Sequence, residues 1–318
     1  MKAMQPKAKK ETGTMTKPVK PDIYARVTGQ IVADLEKGVR PWIKPWSAER
    51  AGGRVLRPLR HNGKPYQGVN ILLLWGSALE NDFSSPVWMT FKQARDLGGH
   101  VRQGEKGSLV VFADTIRKTE TDDKTGEETE KSIPFMKGYT VFNVGQIDDL
   151  PFHYYAKPEP PAIPEAERTE RLDRFFRNTG ALIRHGGNRA CFAPAADFIQ
   201  MPPFPAFRDA ESYYATLAHE MTHWTGHASR LDRNLDRQDR QHYAREELVA
   251  ELGAAFLCAN LAITPETRED HAAYIAHWLK ALKDDKRFIF SAASHASRAA
   301  DHLEGYQTQE QSRIEAAA

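Results

Sequence analysis

The chain has 318 residues, 41% hydrophobic and 27% charged, with a formal net charge of +2, ordinary for a globular chain of about two domains. No run approaches the ~20 consecutive apolar residues of a membrane span. The Lys- and Thr-rich start has no apolar signal core, so the expected compartment is the cytoplasm. Cys191 and Cys258 are too few for a disulfide framework and form no Cys-x-x-Cys pair, so both are expected as buried small apolar residues.

Residues 1–110 hold 19 Lys+Arg against 9 Asp+Glu, and residues 111–318 hold 25 against 33. A basic first third beside an acidic remainder suggests a polyanion-binding module joined to something else. Part of the asymmetry is a tail: residues 1–20 hold six Lys and one Glu, and 21–110 alone hold 13 basic against 8 acidic groups.

Residues 1–20 read as a disordered tail. Pro21-Asp22 then offers a helix start, with Tyr24, Val27, Ile31 and Leu35 at helical spacing and Gly38 as the stop. "RPWIKPW" (40–46) is extended by its prolines. Trp88, Thr90 and Phe91 mark a short strand running into a helix closed by Gly98-Gly99. "SLVVFADTI" (108–116) and "YTVFNVGQI" (139–147) read as strands around a polar loop at 121–131. This gives an α+β first domain over 21–155. A Pro-rich linker follows at 156–167. The second domain, 168–305, is mainly helical with a small sheet. Its helices are marked by Leu172, Phe175 and Phe176, then by 211–224, 245–261, 272–282 and 288–303. "RACFAP" (189–194) and "DFIQMP" (197–202) are short candidate strands, and 306–318 is a C-terminal tail.

"HEMTHWTGH" (219–227) carries the HExxH pattern. His219 and His223, four apart on a helix, project from one face one turn apart, so both imidazoles can reach one Zn2+. Glu220 between them is placed to act as the general base. The alternative is two ordinary histidines on a helix. A catalytic zinc needs a third protein ligand and an open position. Gly226 fits the extended HExxHxxGxxH pattern, but Ser229 stands where its third histidine belongs. His227 is displaced by two and is expected to face solvent or sit behind the ligands.

The better source is "YAREELVAELGAAF" (243–256), where Glu247 and Glu251 share a helix face. This resembles the gluzincin arrangement, which implies Glu247 as third ligand and Glu251 as the acid that buttresses an imidazole. Ligation by Glu251 instead, or a plain charged face, is the alternative. Glu246 is expected to face solvent, and Gly253, Ala254 and Ala255 to permit tight packing against the HExxH helix. "DFIQMP" is a candidate edge strand for an extended substrate, and Tyr243 a candidate oxyanion donor. Each has an ordinary core role as its alternative.

In the first domain, aromatic and basic residues interleave in "RPWIKPW" and "RPLRHNGKPYQGVN" (57–70), a mixture that suits single-stranded nucleic acid. Trp42, Trp46 and Tyr66 are candidate stacking platforms. Lys44, Arg57, Arg60 and Lys64, with Arg102 and Lys106 from "VRQGEKG", are candidate phosphate contacts. The competing reading is that tryptophans between prolines pack a small core.

Five stretches together carry a resemblance: "DIYARVTGQIVADLEKGVRPWIKPW", "NGKPYQGVNILLLW", "WMTFKQARDLGGHVRQGEKGSLVVF", "LAHEMTHWTGH" and "EELVAELGAAFLC". From about residue 22 to about 305 the chain is similar to ArdC-type plasmid antirestriction proteins, whose N-terminal region also begins the TraC-type conjugative primases. The resemblance implies a single-stranded-DNA-binding domain followed by a zincin-like metallopeptidase domain. It implies Zn2+ as cofactor, with another divalent ion such as Mn2+ as the alternative. It also implies protection of incoming plasmid DNA from host restriction during conjugation. The expected partners are single-stranded DNA and a protein substrate, with no membrane. The alternatives are a cytosolic metallopeptidase acting on DNA-associated proteins, and a DNA-binding protein whose metal is purely structural.

Overall fold

The structure is a computed structural model describing residues 22–42, 56–121, 128–156, 165–235, 240–263 and 271–317. The expected tail at 1–20 and most of the expected linker therefore lie outside the described residues.

Helix α1 (Ile23–Glu36) begins where expected, with the Asp22 side chain accepting from the Tyr24 N–H. Its face of Val27, Ile31 and Leu35 is buried. After the two-residue strand β1 (Leu59–Arg60) comes helix α2 (Val69–Asn81), which the periodicity did not reveal. Ile71, Leu72, Leu73, Leu74 and Trp75 are all buried, so α2 has no polar face to create a helical pattern. Strand β2 (Val87–Met89) runs into helix α3 (Phe91–Asp96) through a reciprocal cap between Thr90 and Gln93. Strand β3 (His100–Val101) follows.

Strands β4 (Ser108–Thr121) and β5 (Glu128–Asn143) pair antiparallel along their full length, from Ser108 opposite Val141 to Thr121 opposite Glu128. Thr121 and residues 128–131 of the stretch expected as a polar loop thus belong to the strands. With β1 and β2 they form a sheet of order β1-β2-β5-β4, while β3 pairs with β6 (Ile147–Asp148). The Asn70 side chain bonds the main chain of Val111 in both directions, at 2.7 and 2.8 Å, and so ties α2 to the outer strand β4.

The C-terminal half opens with helix α4 (Glu165–Asn178). A three-stranded sheet of order β7-β9-β8 follows, from β7 (Leu182–His185), β8 (Cys191–Ala193) and β9 (Phe198–Met201). "DFIQMP" is therefore the central strand, parallel to β7, and the antiparallel edge is β8. Four helices complete the fold: α5 (Ala210–Thr225), α6 (Arg240–Leu261), α7 (His271–Asp284) and α8 (Phe288–Ala317). The last continues through the stretch expected as a C-terminal tail.

The two halves share their largest hydrophobic cluster. Val27, Ile31 and Trp75 from the first half pack in one cluster with Leu248, Phe256, Trp278 and Ile289 from the second. Trp75 meets Phe256 and Trp42 meets Trp278, with ring centroids 5.7 and 6.4 Å apart. Polar bonds cross the same boundary, from Thr28 Oγ1 to the Lys286 carbonyl at 2.7 Å and from the Gly68 N–H to Ser297 Oγ at 2.9 Å.

Both cysteines are free; Cys258 is buried, which raises its thiol pKa, whereas Cys191 is exposed on β8, against expectation. No helix among the described residues is long and apolar enough to cross a membrane.

Candidate metal centre

Helix α5 is fixed at its start by Asp209, whose carboxylate accepts from the Ser212 N–H and hydroxyl, both at 2.7 Å. Twelve of its sixteen residues are buried, so its two histidines are presented from a helix that cannot easily shift. Helix α6 crosses it closely. A Cβ added at Gly253 would lie 2.4 Å from Thr222 Cγ2, so only a glycine lets the two backbones approach this far.

That approach brings three donors together. His219 Nε2 and His223 Nε2 are 3.2 Å apart. Glu247 Oε2 lies 3.6 Å from His219 Nε2, and Glu247 Oε1 lies 3.6 Å from His223 Nε2. A tetrahedral ion at ~2.0–2.1 Å from each donor needs them roughly 3.3–3.4 Å apart. The trio fits that requirement, and it is the one His/Cys/Asp/Glu group of this kind among the described residues. All three open onto a cavity of about 240 Å3, bordered also by Glu220, Tyr243 and the edge strand β8.

Behind His223 stands an acid that the sequence reading sent to solvent. Glu246 is buried, and its Oε1 lies 3.3 Å from His223 Nδ1. With Nε2 turned to the centre, His223 carries its other proton on Nδ1 and donates it to Glu246, the outer support that metal-ligating histidines usually have. Glu246 is gripped in turn by Arg233, which donates from Nε and Nη2 at 2.7 to 3.3 Å. Arg233 is buried and also bonds Thr225 Oγ1 and the Thr222 carbonyl. A Cβ at Gly226 would sit 2.7 Å from Arg233 Nη2. The glycine of the motif thus makes room for a guanidinium.

Burial opposes charge on these groups, yet mutual pairing outweighs it. Burial alone would raise Glu247, but hydrogen bonds and charge from His219 and His223 pull it down to about 2. Burial alone would lower His223, but Glu246 and Glu247 raise it. The pairing thus favours an anionic Glu247 and a His223 that holds its proton more readily, and metal binding at such groups is coupled to proton release.

The remaining candidates separate clearly. Glu251 is buried one turn beyond Glu247, outside the trio. His227 falls past the helix end and bonds Ser229. Tyr243 is half-exposed at the cavity and hydrogen-bonds Glu247. In the first half, Trp42, Arg57 and Tyr66 are buried, so none presents a face or charge to a strand in this conformation. Arg57 instead bonds the Tyr66 carbonyl, Gln67 and Asn260. Arg60, Lys64 and Lys106 are exposed. Arg102 is exposed but pairs with Glu105 and Asp148. Lys44 and Trp46 lie outside the described residues.

Comparison with known proteins agrees with this arrangement. Residues 21–142 match the family described as the N-terminal domain of anti-restriction factor ArdC, and residues 170–295 match the zincin-like metallopeptidase family. The metal-free crystal structure of antirestriction protein ArdC from plasmid R388 superposes with a TM-score of 0.77 at 48% identity, covering 91% of this chain and 98% of that one. The chain belongs to the ArdC family. Protein y4eC of Sinorhizobium fredii is 44% identical over 91% of this chain and 94% of its own length. DNA primase TraC of Escherichia coli is 36% identical over 92% of this chain, which spans only 28% of that primase. The R388 ArdC protein has also been crystallised with Mn(II), and that structure superposes with a TM-score of 0.74.

Proposed function

We propose that this antirestriction-family protein acts in the cytoplasm, binds single-stranded DNA through its N-terminal half, and protects incoming plasmid DNA from host restriction during conjugation. In this reading its C-terminal half carries a divalent-metal centre of the peptidase type. The observation that carries the metal reading is the trio of donors at near-tetrahedral spacing on the wall of an open cavity. His219, His223 and Glu247 would hold the ion, Zn2+ or Mn2+. Glu246 supports one imidazole, and Glu251, buried on the same helix, is the acid left to support the other. A bound ion supplies Lewis acidity toward a carbonyl oxygen. Glu220 takes a proton from the attacking water and delivers it to the leaving nitrogen. Tyr243 stands where it can donate to a developing oxyanion.

Exposed Arg60, Lys64 and Lys106 are proposed phosphate contacts, joined by Arg102. The buried Trp42, Arg57 and Tyr66 hold the surface in shape instead, and Lys44 and Trp46 keep their expected roles.

A second reading is a metallopeptidase acting on DNA-associated proteins, favoured by the position of Glu220 and the exposed edge strand β8 on one cavity. One set of variants separates the two. Glu247→Ala should lose tight Zn2+ or Mn2+ binding in calorimetric titration; full occupancy removes it from the ligand set. Glu220→Ala should keep the ion and lose any peptide cleavage. If that variant still protects transferred DNA, protection does not run through proteolysis. Single-strand binding by the full chain should weaken with salt, and removing Lys64 should reduce the salt slope by about 1; salt-independent binding would end the phosphate assignment.

A further inference from the structure

Behind Glu246, away from the metal donors, lies a second cavity of about 250 Å3. Glu246 and His242 border both cavities, so the two share a wall. The other walls come from α6, the turn before α8 and the first turns of α8.

The cavity has an excess of positive charge. Arg233, Arg245 and Arg287 line it, with His242 and His295 beside them. Two carboxylates face them. Glu246 is committed to Arg233 and His223. Asp285 accepts the Arg287 backbone N–H at 2.9 Å. Arg233 is thereby matched, but neither Arg245 nor Arg287 has a carboxylate at ion-pair distance among the described residues.

Both guanidinium groups are nevertheless held in place by rings. Arg245 lies 4.9 Å over Phe288 and Arg287 lies 5.2 Å over Tyr24. The Nε atom of Arg245 is buried and has no hydrogen-bond partner. A buried cationic N–H without an acceptor is costly. A water would satisfy that N–H and leave the charge unbalanced. An anion does both, through short charge-assisted bonds. The start of α8 at this cavity adds the positive end of a 30-residue helix.

We propose that this cavity binds a phosphate group, with Arg245 and Arg287 as its ligands. Planar guanidinium forks match phosphate oxygens. The phosphate is either free in solution or part of a bound DNA strand. Only the second source rests on the DNA-binding reading above.

The test is calorimetric titration of the full chain with inorganic phosphate at low ionic strength. Wild type should bind saturably. Arg245→Gln and Arg287→Gln should each weaken binding roughly 10- to 100-fold, and the double variant should show none. Thermal unfolding checks that the variants fold. If the double variant does not, Arg245→Lys keeps the charge, removes the fork and should still weaken phosphate. Absence of saturable binding, or binding unchanged by these substitutions, overturns the proposal. Competition identifies the source. Phosphate that displaces a 5′-phosphorylated single-stranded oligonucleotide from wild type points to a strand phosphate. Phosphate that binds without displacing it points to the free anion. A chain that binds phosphate but no oligonucleotide keeps the cavity assignment and ends the DNA reading.

Discussion

The two halves of the molecule place their functional groups in opposite ways. Around α5 and α6 the charged groups are buried and matched: His223 to Glu246, Glu246 to Arg233, and Glu247 to both imidazoles. In the N-terminal half the candidate stacking rings Trp42 and Tyr66 are buried, and Arg60, Lys64 and Lys106 face water. The first arrangement holds a few atoms in one geometry and resists salt, because buried pairs are poorly screened. The second spreads charge over a surface and gives a salt-sensitive attraction without a fixed geometry. A shared core joins them, and that junction is where the contrast is easiest to break.

Trp75 carries the largest expected effect. It is fully buried, packs on Phe256 of the opposite half and donates from Nε1 to the Leu56 carbonyl at 3.0 Å. Trp75→Ala should cost about 3–5 kcal/mol by the usual scale for large aromatic truncations. It should lower the denaturant midpoint of both halves together, in one transition followed by far-UV circular dichroism. Two separated transitions, with only the first shifted, would show that the halves stand independently and that the joint cluster contributes little.

Next in size is Glu246. Glu246→Gln keeps an acceptor for His223 Nδ1 but leaves Arg233, buried with only 3% of its side chain exposed, without its matching charge. Loss of such an outer partner typically costs 10- to 100-fold in metal affinity, and Mn(II) or Zn(II) titration should show a fall of about that size. Lys64→Ala, in the N-terminal half, should leave metal affinity unchanged. An unchanged affinity in Glu246→Gln would make Glu246 a structural acid alone.

The same contrast explains what the sequence could reveal. His219, Glu220 and His223 lie within five residues on one helix, so their convergence is a local fact. Glu247 was reachable through the likeness to the gluzincin arrangement, in which an acid on a second helix joins the two histidines, and spacing alone left Glu251 as an alternative. Arg233 was not, since it lies in a charge-rich loop whose arginines look alike until Gly226 makes room for one of them. Glu246 was misplaced because adjacent helix positions differ by about 100°, and a helix buried on most sides gives no polar face by which to orient it. Helix α2 was missed for that reason too. Trp42 and Tyr66 show the converse: their neighbours are basic, but their own side chains enter the core, and composition cannot separate a ring that stacks on a base from one that packs beneath the surface. The α+β class, α1, the strand before α3, and helices α5, α7 and α8 were legible because each has one wet and one dry face or a clear cap.

The smallest expected effect tests whether the metal helix is anchored locally or by the core alone. Asp209 caps α5, and hydrogen bonds from the Ser212 hydroxyl and N–H, with Arg208 beside it, hold its carboxyl down to about 2. A carboxylate depressed in the folded state stabilises it fully above the unfolded value of about 3.9, and the gain disappears as pH falls from about 4 to about 2. Asp209→Ala should cost about 1 kcal/mol at neutral pH. Asp209→Asn keeps the acceptor but not the charge, so it should lose part of that stability at neutral pH, while its stability should fall less steeply than wild type between pH 4 and pH 2. Urea unfolding of the three proteins across that window isolates the cap, because every other carboxylate is common to all of them. If wild type and Asp209→Asn trace parallel curves, the position of His219 and His223 owes nothing to the charge at the start of α5, and the packing of Gly253 against Thr222 sets it instead.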